Sequence, residues 1–244
     1  MERVALVTGA STGIGLAVAR RLRRDGYALG FHTEEPDDSA RALFEEVAGN
    51  EGVWIAADLS DPNAAPRLVD EVVGGLGRLD VLVNNAGISP AKPVLELTAE
   101  DFDSVFAVDV RAAFLLSVAA AEPMRRQGKG AIVNITSVHE HVPRPGLALY
   151  SAAKAALGML TRSLAVELAP EIRVNAVAPG AIATERNVEA GSLSDEIPLG
   201  RPGTPEEVAA AVSFLAGDEA AYVSGTSFVV DGALIQQVVS RPAG

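Results

Sequence analysis

Short, nearly unbroken apolar runs alternate along this chain with longer stretches in which apolar and polar positions recur every three to four residues. The runs at 4–7, 27–31, 53–56, 81–83, 131–135, 173–177 and 228–230 read as strands. They lack polar alternation because a parallel strand is covered on both faces. The stretches near 13–25, 38–49, 63–76, 99–127, 150–169 and 205–217 have the period of helices. This alternation predicts βαβ units and an α/β fold, a doubly wound sheet of seven mostly parallel strands with helices on both faces. No linker rich in Pro, Ser or Gly divides the chain, so residues 1–244 read as one domain. The rhythm breaks at 179–203, where Pro179, Gly180, Gly191, Pro198, Gly200, Pro202 and Gly203 fall. That segment follows the sixth strand, where such a sheet opens its ligand crevice. A mobile substrate loop is expected there.

Composition narrows the function classes. Of 244 residues, 48% are hydrophobic, enough for a large core, so disorder is not expected. The net charge of −12 would repel phosphates, which argues against a nucleic-acid partner. Cysteine is absent, so thiolate catalysis, disulfides and cysteine metal sites are excluded. The N-terminus enters a strand directly without a signal-peptide pattern. No run is read as approaching the ~20 apolar residues of a membrane span. A cytoplasmic protein without membrane contact is expected.

The segment Thr8-Gly9-Ala10-Ser11-Thr12-Gly13-Ile14-Gly15 joins the first strand to the first helix. Glycines there allow positive φ and close backbone approach to a diphosphate, and the helix N-terminus offers N–H groups and a positive dipole end. Cofactor choice is less determined. An acid that would hold ribose hydroxyls is absent from 31–33, and no Lys or Arg stands ready for a 2′-phosphate. His32 and Thr33 are candidate phosphate contacts opposed by Glu34, Glu35, Asp37 and Asp38, with a solvated strand-end histidine as the alternative. NAD and NADP both remain open.

Tyr150 and Lys154 lie four residues apart, and Ser137 lies thirteen upstream of the tyrosine. One helical turn puts phenol and ammonium on one face. Unit charges about 4 Å apart interact by roughly 4 kcal/mol at an effective dielectric of about 20, enough to make a phenol a proton-transfer group near neutral pH.

The whole set resembles the short-chain dehydrogenase/reductase family. The matching motifs are Thr8-Gly9-x-x-x-Gly13-Ile14-Gly15, Asp58-Leu59, Asn84-Asn85-Ala86-Gly87, Ser137, Tyr150-x-x-x-Lys154 and Pro179-Gly180-Ala181-Ile182-x-Thr184. The resemblance implies a single Rossmann-type domain, a nicotinamide dinucleotide, a small-molecule substrate and a homotetramer. It implies Tyr150 as acid/base, Lys154 as its modulator and ribose contact, and Ser137 as the donor to the substrate oxygen. Gly9, Ser11, Thr12, Gly13, Ile14 and Gly15 would meet the diphosphate, and Asp58 and Leu59 the adenine. Asn85, Ala86 and Gly87 would line the crevice, and Pro179, Gly180, Ile182 and Thr184 the nicotinamide end. Asn84 would tie strands together. The segments Ser137-Val138-His139-Glu140-His141-Val142-Pro143, Ile197-Pro198 and Asp231-Gly232-Ala233…Ala243-Gly244 are similar to those of bacterial glucose 1-dehydrogenases, which implies a sugar or polyol. His139, Glu140 and His141 read as a loop at the substrate mouth, and no metal is expected.

One position departs from the family pattern. After Phe102-x-x-Val105-Phe106-x-Val108 the family has Asn, where a helix distortion holds a water that links the lysine to solvent. This chain has Asp109. A carboxylate keeps the backbone carbonyl, loses the amide donor, and can pair with Lys154 and weaken its effect on Tyr150. The resulting expectations are a perturbed proton relay with a shifted pH optimum, or a water chain that tolerates the change. The leading reading is an NAD(P)-dependent alcohol, sugar or ketone oxidoreductase. Its rivals are a 3-oxoacyl thioester reductase, for which Arg111, Arg125, Arg126 and Arg144 keep room, and a dinucleotide-binding protein with turnover impaired by Asp109.

Overall fold

The computed structural model describes residues 2–185 and 187–236. Seven strands form one sheet: β1 (Arg3–Val7), β2 (Tyr27–Thr33), β3 (Gly52–Ala56), β4 (Val81–Asn84), β5 (Gly130–Ile135), β6 (Ile172–Pro179) and β7 (Ser227–Val230). Their spatial order is β3-β2-β1-β4-β5-β6-β7. Every pairing is parallel, where the apolar runs predict a mostly parallel sheet. The helices are α1 (Gly13–Arg24), α2 (Asp38–Val47), α3 (Ala64–Leu76), α4 (Ala99–Phe106), α5 (Ala113–Gln127), α6 (Ala148–Glu167) and α7 (Pro205–Ala216). The chain is a single Rossmann-type α/β domain.

The central strands bury both faces. Ala5, Val7, Leu29, Phe31, Val81, Val83 and Val133 share one core with Val18 and Leu22 of α1 and Val208, Val212 and Leu215 of α7. Val4, Leu6, Leu82, Ile132 and Val174 share the other with Leu68 and Val72 of α3, Leu116 and Met124 of α5, and Leu164 of α6. Successive strand residues point to opposite faces, which is why one run feeds two cores. Helix starts are set by local caps. Thr98 with Asp101 and Thr204 with Glu207 form capping boxes at α4 and α7, and Asp37 caps α2.

The stretch 99–127 is one continuous helical rod that widens into a π-turn at Ala107–Ala112. Its 18-residue hydropathy reaches 1.7, enough by length and composition for a membrane span, contrary to the reading that no run approaches one. Half of that window is buried in the fold, where α5 packs on α3 and β5 and the π-turn packs on α6. Its apolar character serves the second core.

A buried polar chain crosses from β4 to α6. The Asn84 amide donates to Asn134 Oδ1 at 2.8 Å, and the Asn134 amide donates to Thr161 Oγ1 at 2.8 Å. Asn84 thus ties strands together, as the motif implies. Asn134→Leu leaves the polar groups of Asn84 and Thr161 without these partners. The expected cost is about 1–3 kcal/mol, read as a lower urea midpoint.

Candidate active site

Strand order reverses between β1 and β4, and there the loops at the carboxyl ends separate. A cleft of about 830 Å³ opens at this point. The glycine loop forms one wall. Gly9 and Gly13 sit at φ +62° and +51°, and a Cβ on Gly15 would stand 2.0 Å from the Gly9 carbonyl oxygen. Only glycine permits this turn. Thr12 starts α1 without a side-chain cap, and no acidic residue lies in the first turn. The opening N–H groups therefore face the cleft with their dipole, a cradle suited to a diphosphate. The residues present fit a nicotinamide dinucleotide.

Polar side chains fix the loop from behind. Thr8 Oγ1 accepts from the Asn85 and Ala86 backbone N–H groups at 2.9 and 3.0 Å. The Asn85 amide donates to the Thr8 and Gly9 carbonyls at 2.8 and 3.1 Å. Asn85, Ala86 and Gly87 line the cleft, as do Ser11, Thr12, Gly13, Ile14, Gly15, Asp58, Leu59, Pro179, Gly180, Ile182 and Thr184. The Asp58 carboxylate accepts from the Ser60 hydroxyl and N–H, both at 2.7 Å, which hold it below the ordinary carboxylate range.

Two strand-end expectations are corrected. His32 lines the cleft but is not solvated, and both of its ring nitrogens are already engaged. It is 1% exposed, Gly9 N–H donates to its Nδ1 at 3.1 Å, and its Nε2 lies 2.9 Å from the Ala57 carbonyl oxygen. Thr33 is buried, and its hydroxyl accepts from Trp54 Nε1 and donates to the Glu35 carbonyl, so it does not reach the cleft. Glu34 lines the cleft beside His32. The pattern ended β2 at Phe31, whereas the strand continues to Thr33 because its polar side chains find partners inside. The first side chain free to face a ligand comes correspondingly later.

Ser137, Tyr150 and Lys154 line the same cleft. Ser137 caps the turn Val138–Glu140 by accepting from His139 N–H at 3.2 Å, leaving its hydroxyl proton to point elsewhere. Tyr150 stands in the first turn of α6 with its ring edge-on to His139, centroids 6.2 Å apart. Lys154 Nζ lies 5.4 Å from the Tyr150 ring centroid and donates to the Ile135 carbonyl at 3.2 Å. The π-turn turns Asp109 inward, where its Oδ2 lies 2.9 Å from Lys154 Nζ and its Oδ1 accepts from Ile88 N–H at 2.8 Å. The expected pairing of Asp109 with Lys154 is therefore present. Burial disfavours the ammonium, but the Asp109 carboxylate and then Tyr150 outweigh it, so Lys154 titrates above its ordinary value. The ammonium is charged at neutral pH. Its contribution to stability is complete below the ordinary lysine value and lost only as pH rises through the raised one.

His139, Glu140 and His141 do not converge. Among the described residues no three His, Cys, Asp or Glu side chains group to hold a metal. Glu140 instead wedges the Val138–Glu140 turn onto α6. Its Oε2 accepts from Ser227 Oγ at 2.9 Å, and it fills the space a Cβ on Gly158 would need, 2.2 Å from Oε1. Sequence reasoning missed this role, since nothing local marks a Glu that is read by a glycine on another element. The loop at 179–203 is pinned at both ends, with Ala183 N–H donating to the Gly203 carbonyl and Gly203 N–H to the Ala181 carbonyl, each at 2.9 Å. Ala243 and Gly244 lie outside the described residues.

A Cβ on Gly87 would stand 2.9 Å from Asp109 Oδ2 and 3.2 Å from Lys154 Nζ. Gly87→Ala should destabilise the fold by about 1–3 kcal/mol, because neither buried side chain has room to retreat. Gly74→Ala, on an exposed and open helix position, should stabilise by up to about 1 kcal/mol. Urea midpoints at pH 7 separate the two.

Comparison with known proteins agrees with this geometry. Residues 9–234 match the family model described as enoyl-(acyl carrier protein) reductase. Glucose 1-dehydrogenase 2 of Bacillus subtilis (strain 168) is 37% identical over 243 residues, covering 95% of this chain and 94% of that protein. The crystal structure of acetoin dehydrogenase from Enterobacter cloacae superposes with a TM-score of 0.91 at 43% identity, covering 99% of each chain. The structure of ElxO with NADP bound superposes with a TM-score of 0.90 at 30% identity, covering 97% of this chain and 100% of that one. The chain belongs to the short-chain dehydrogenase/reductase family, whose members are oxidoreductases acting on CH–OH groups with NAD or NADP.

Proposed function

We propose that Tyr150 exchanges the proton, and that Ser137 and Lys154 orient its partners, in the oxidation of a small secondary alcohol or polyol and the reverse reduction of a ketone. The observation that carries this is the convergence of Ser137 O–H, the Tyr150 phenol and the buried Lys154 ammonium on one cleft. When bound, the nicotinamide supplies or accepts the hydride. In the reductive direction Tyr150 gives its phenolic proton to the oxygen that becomes the alcohol, and Ser137 donates a hydrogen bond to that oxygen. Lys154 steadies the charge left on the phenolate and faces the nicotinamide ribose. Pro179, Gly180, Ile182 and Thr184 are proposed to seat the nicotinamide end, and the arch 179–203 to close the substrate side. The glycine loop is proposed to take the diphosphate, and Asp58 and Leu59 the adenine. Glu34 on the cleft wall favours NAD, because a carboxylate accepts from ribose hydroxyls and repels a 2′-phosphate.

The proposal includes a homotetramer in the cytoplasm. An apolar surface formed by Phe106, Val110 and Phe114 on one rod and Met159 and Leu160 on α6 supports contact between copies, with Phe102 and Val118 exposed beside it. A 3-oxoacyl thioester is the second substrate class. Its test is the arm of the same assay that supplies a β-keto thioester.

The decisive experiment is a matrix of NAD and NADP against acetoin, glucose, cyclic alcohols and a β-keto thioester, read at 340 nm. Turnover is expected with a small alcohol or ketone and NAD. Tyr150→Phe should lower kcat by roughly 10²–10⁴-fold, the usual size of an acid/base contribution, with dinucleotide affinity retained. Full turnover in that variant sinks the role of Tyr150.

Asp109 supplies a second test. Its carboxylate offsets part of the Lys154 charge that favours the phenolate. Asp109→Asn removes that offset, so the rise of alcohol oxidation with pH should move to lower pH. An unchanged pH–rate profile would mean that the carboxylate leaves the proton transfer alone.

A further inference from the structure

We propose that His32 is a positioning residue for the dinucleotide, its imidazole bolting the glycine loop to the segment that leads into Asp58 and Leu59. The inference rests on the reading that this cleft takes a dinucleotide, and goes beyond it by naming what sets the cleft's width. The two walls come from different βα connections. The loop after β1 carries the N–H cradle, and the residues after β3 carry Asp58 and Leu59. Between them lies the end of β2, and from it one ring reaches both. Gly9 N–H donates to His32 Nδ1 at 3.1 Å, and His32 Nε2 stands 2.9 Å from the Ala57 carbonyl oxygen.

The chemistry fixes the tautomer. A carbonyl only accepts and an amide N–H only donates, so Nε2 carries the proton and Nδ1 holds the lone pair. The ring is 1% exposed, and burial pushes its pKa below the ordinary value, partly opposed by the hydrogen bond to Ala57. The imidazole is neutral, as this pair of bonds requires. The backbone of the same residue adds a third tie, since Ala10 N–H donates to the His32 carbonyl at 2.9 Å. Gly9 stands at φ +62°, a conformation that a free glycine leaves readily. Holding its N–H and, through Asn85, its carbonyl keeps the next N–H groups aimed at the diphosphate.

The chain makes two neighbouring substitutions informative. His32→Asn keeps an acceptor near the Nδ1 position and loses the reach to Ala57. His32→Gln keeps a donor near Nε2 and leaves Gly9 N–H without its acceptor. Dissociation constants for NAD+ are measured by titration calorimetry, with Trp54 fluorescence as a second signal. Each variant should weaken NAD+ binding by about tenfold, the size of one lost hydrogen bond, because each breaks the bridge at one end. At saturating NAD+, kcat should stay within about twofold in both, because the ring touches neither substrate nor the reacting atoms. In the free protein, the Gly9 amide should exchange with solvent faster in His32→Gln than in His32→Asn. On the unaltered chain, nitrogen NMR should show His32 with its proton on Nε2.

NAD+ affinity in both variants equal to that of the unaltered chain would overturn the role of His32 and leave the cofactor reading standing. A proton found on Nδ1 in the unaltered chain would overturn it even where a variant fails to fold. An unaltered chain that binds no dinucleotide would sink the cofactor reading and this inference together.

Discussion

The cost of burying one ammonium organises the catalytic side of this molecule. Lys154 is 4% exposed, and an ion so far from water loses several kcal/mol of hydration that neighbours must replace. Three neighbours do so: the Asp109 carboxylate, the Ile135 carbonyl and the face of the Tyr150 ring. The first two require a local irregularity or a strand end. Asp109 reaches inward because the rod widens to a π-turn. Ile135 offers a carbonyl because β5 stops there. Gly87 must lack a side chain, since a Cβ would press on both members of the pair. Buried ion pairs seldom add net stability, so the arrangement is better understood as fixing where a charge sits than as holding the fold together.

The dinucleotide side obeys a different constraint. A loop that presents its N–H groups to a ligand cannot satisfy them internally, so it must be held by its other groups. Thr8, Asn85 and His32 do this from the far side. Thr8 and Asn85 follow β1 and β4, which flank the switch point, and His32 comes from β2 on the other side of β1. The cleft is therefore stiff where it must meet an anion, and Glu140 gives the substrate side comparable support by clamping the turn after Ser137 against α6.

Much of this was legible along the chain. The seven apolar runs and the helical periods located every strand of the sheet and the helices that cover it to within a few residues, because burial on both faces leaves an unbroken apolar signature in one dimension. The glycine spacing, the Tyr150–Lys154 turn and Asp109 were equally visible, since each depends on neighbours a few residues apart. The misreadings at the end of β2 share one cause. His32 and Thr33 looked like polar strand-end residues facing a ligand, but their partners, Gly9, Ala57 and Trp54, are distant in sequence. The rod at 99–127 was misread in another way: it does reach the length and hydropathy of a membrane span, and its packing against α3, α6 and the sheet accounts for that apolar character.

The sequence by itself determined the α/β order, the phosphate-binding turn and the pairing of a phenol with an amine, because all three follow from local periodicity and spacing. Only the tertiary structure decided which polar groups are left for a ligand after the interior has taken its own. Hydrogen-bond partners and burial are set by elements that meet in space, so Glu34 is exposed on the cleft wall while the side chains of His32 and Thr33 are engaged by the interior. The same holds for Asp109, whose identity is a matter of sequence but whose contact with Lys154 exists because a widened turn and a bare glycine bring the two charges together.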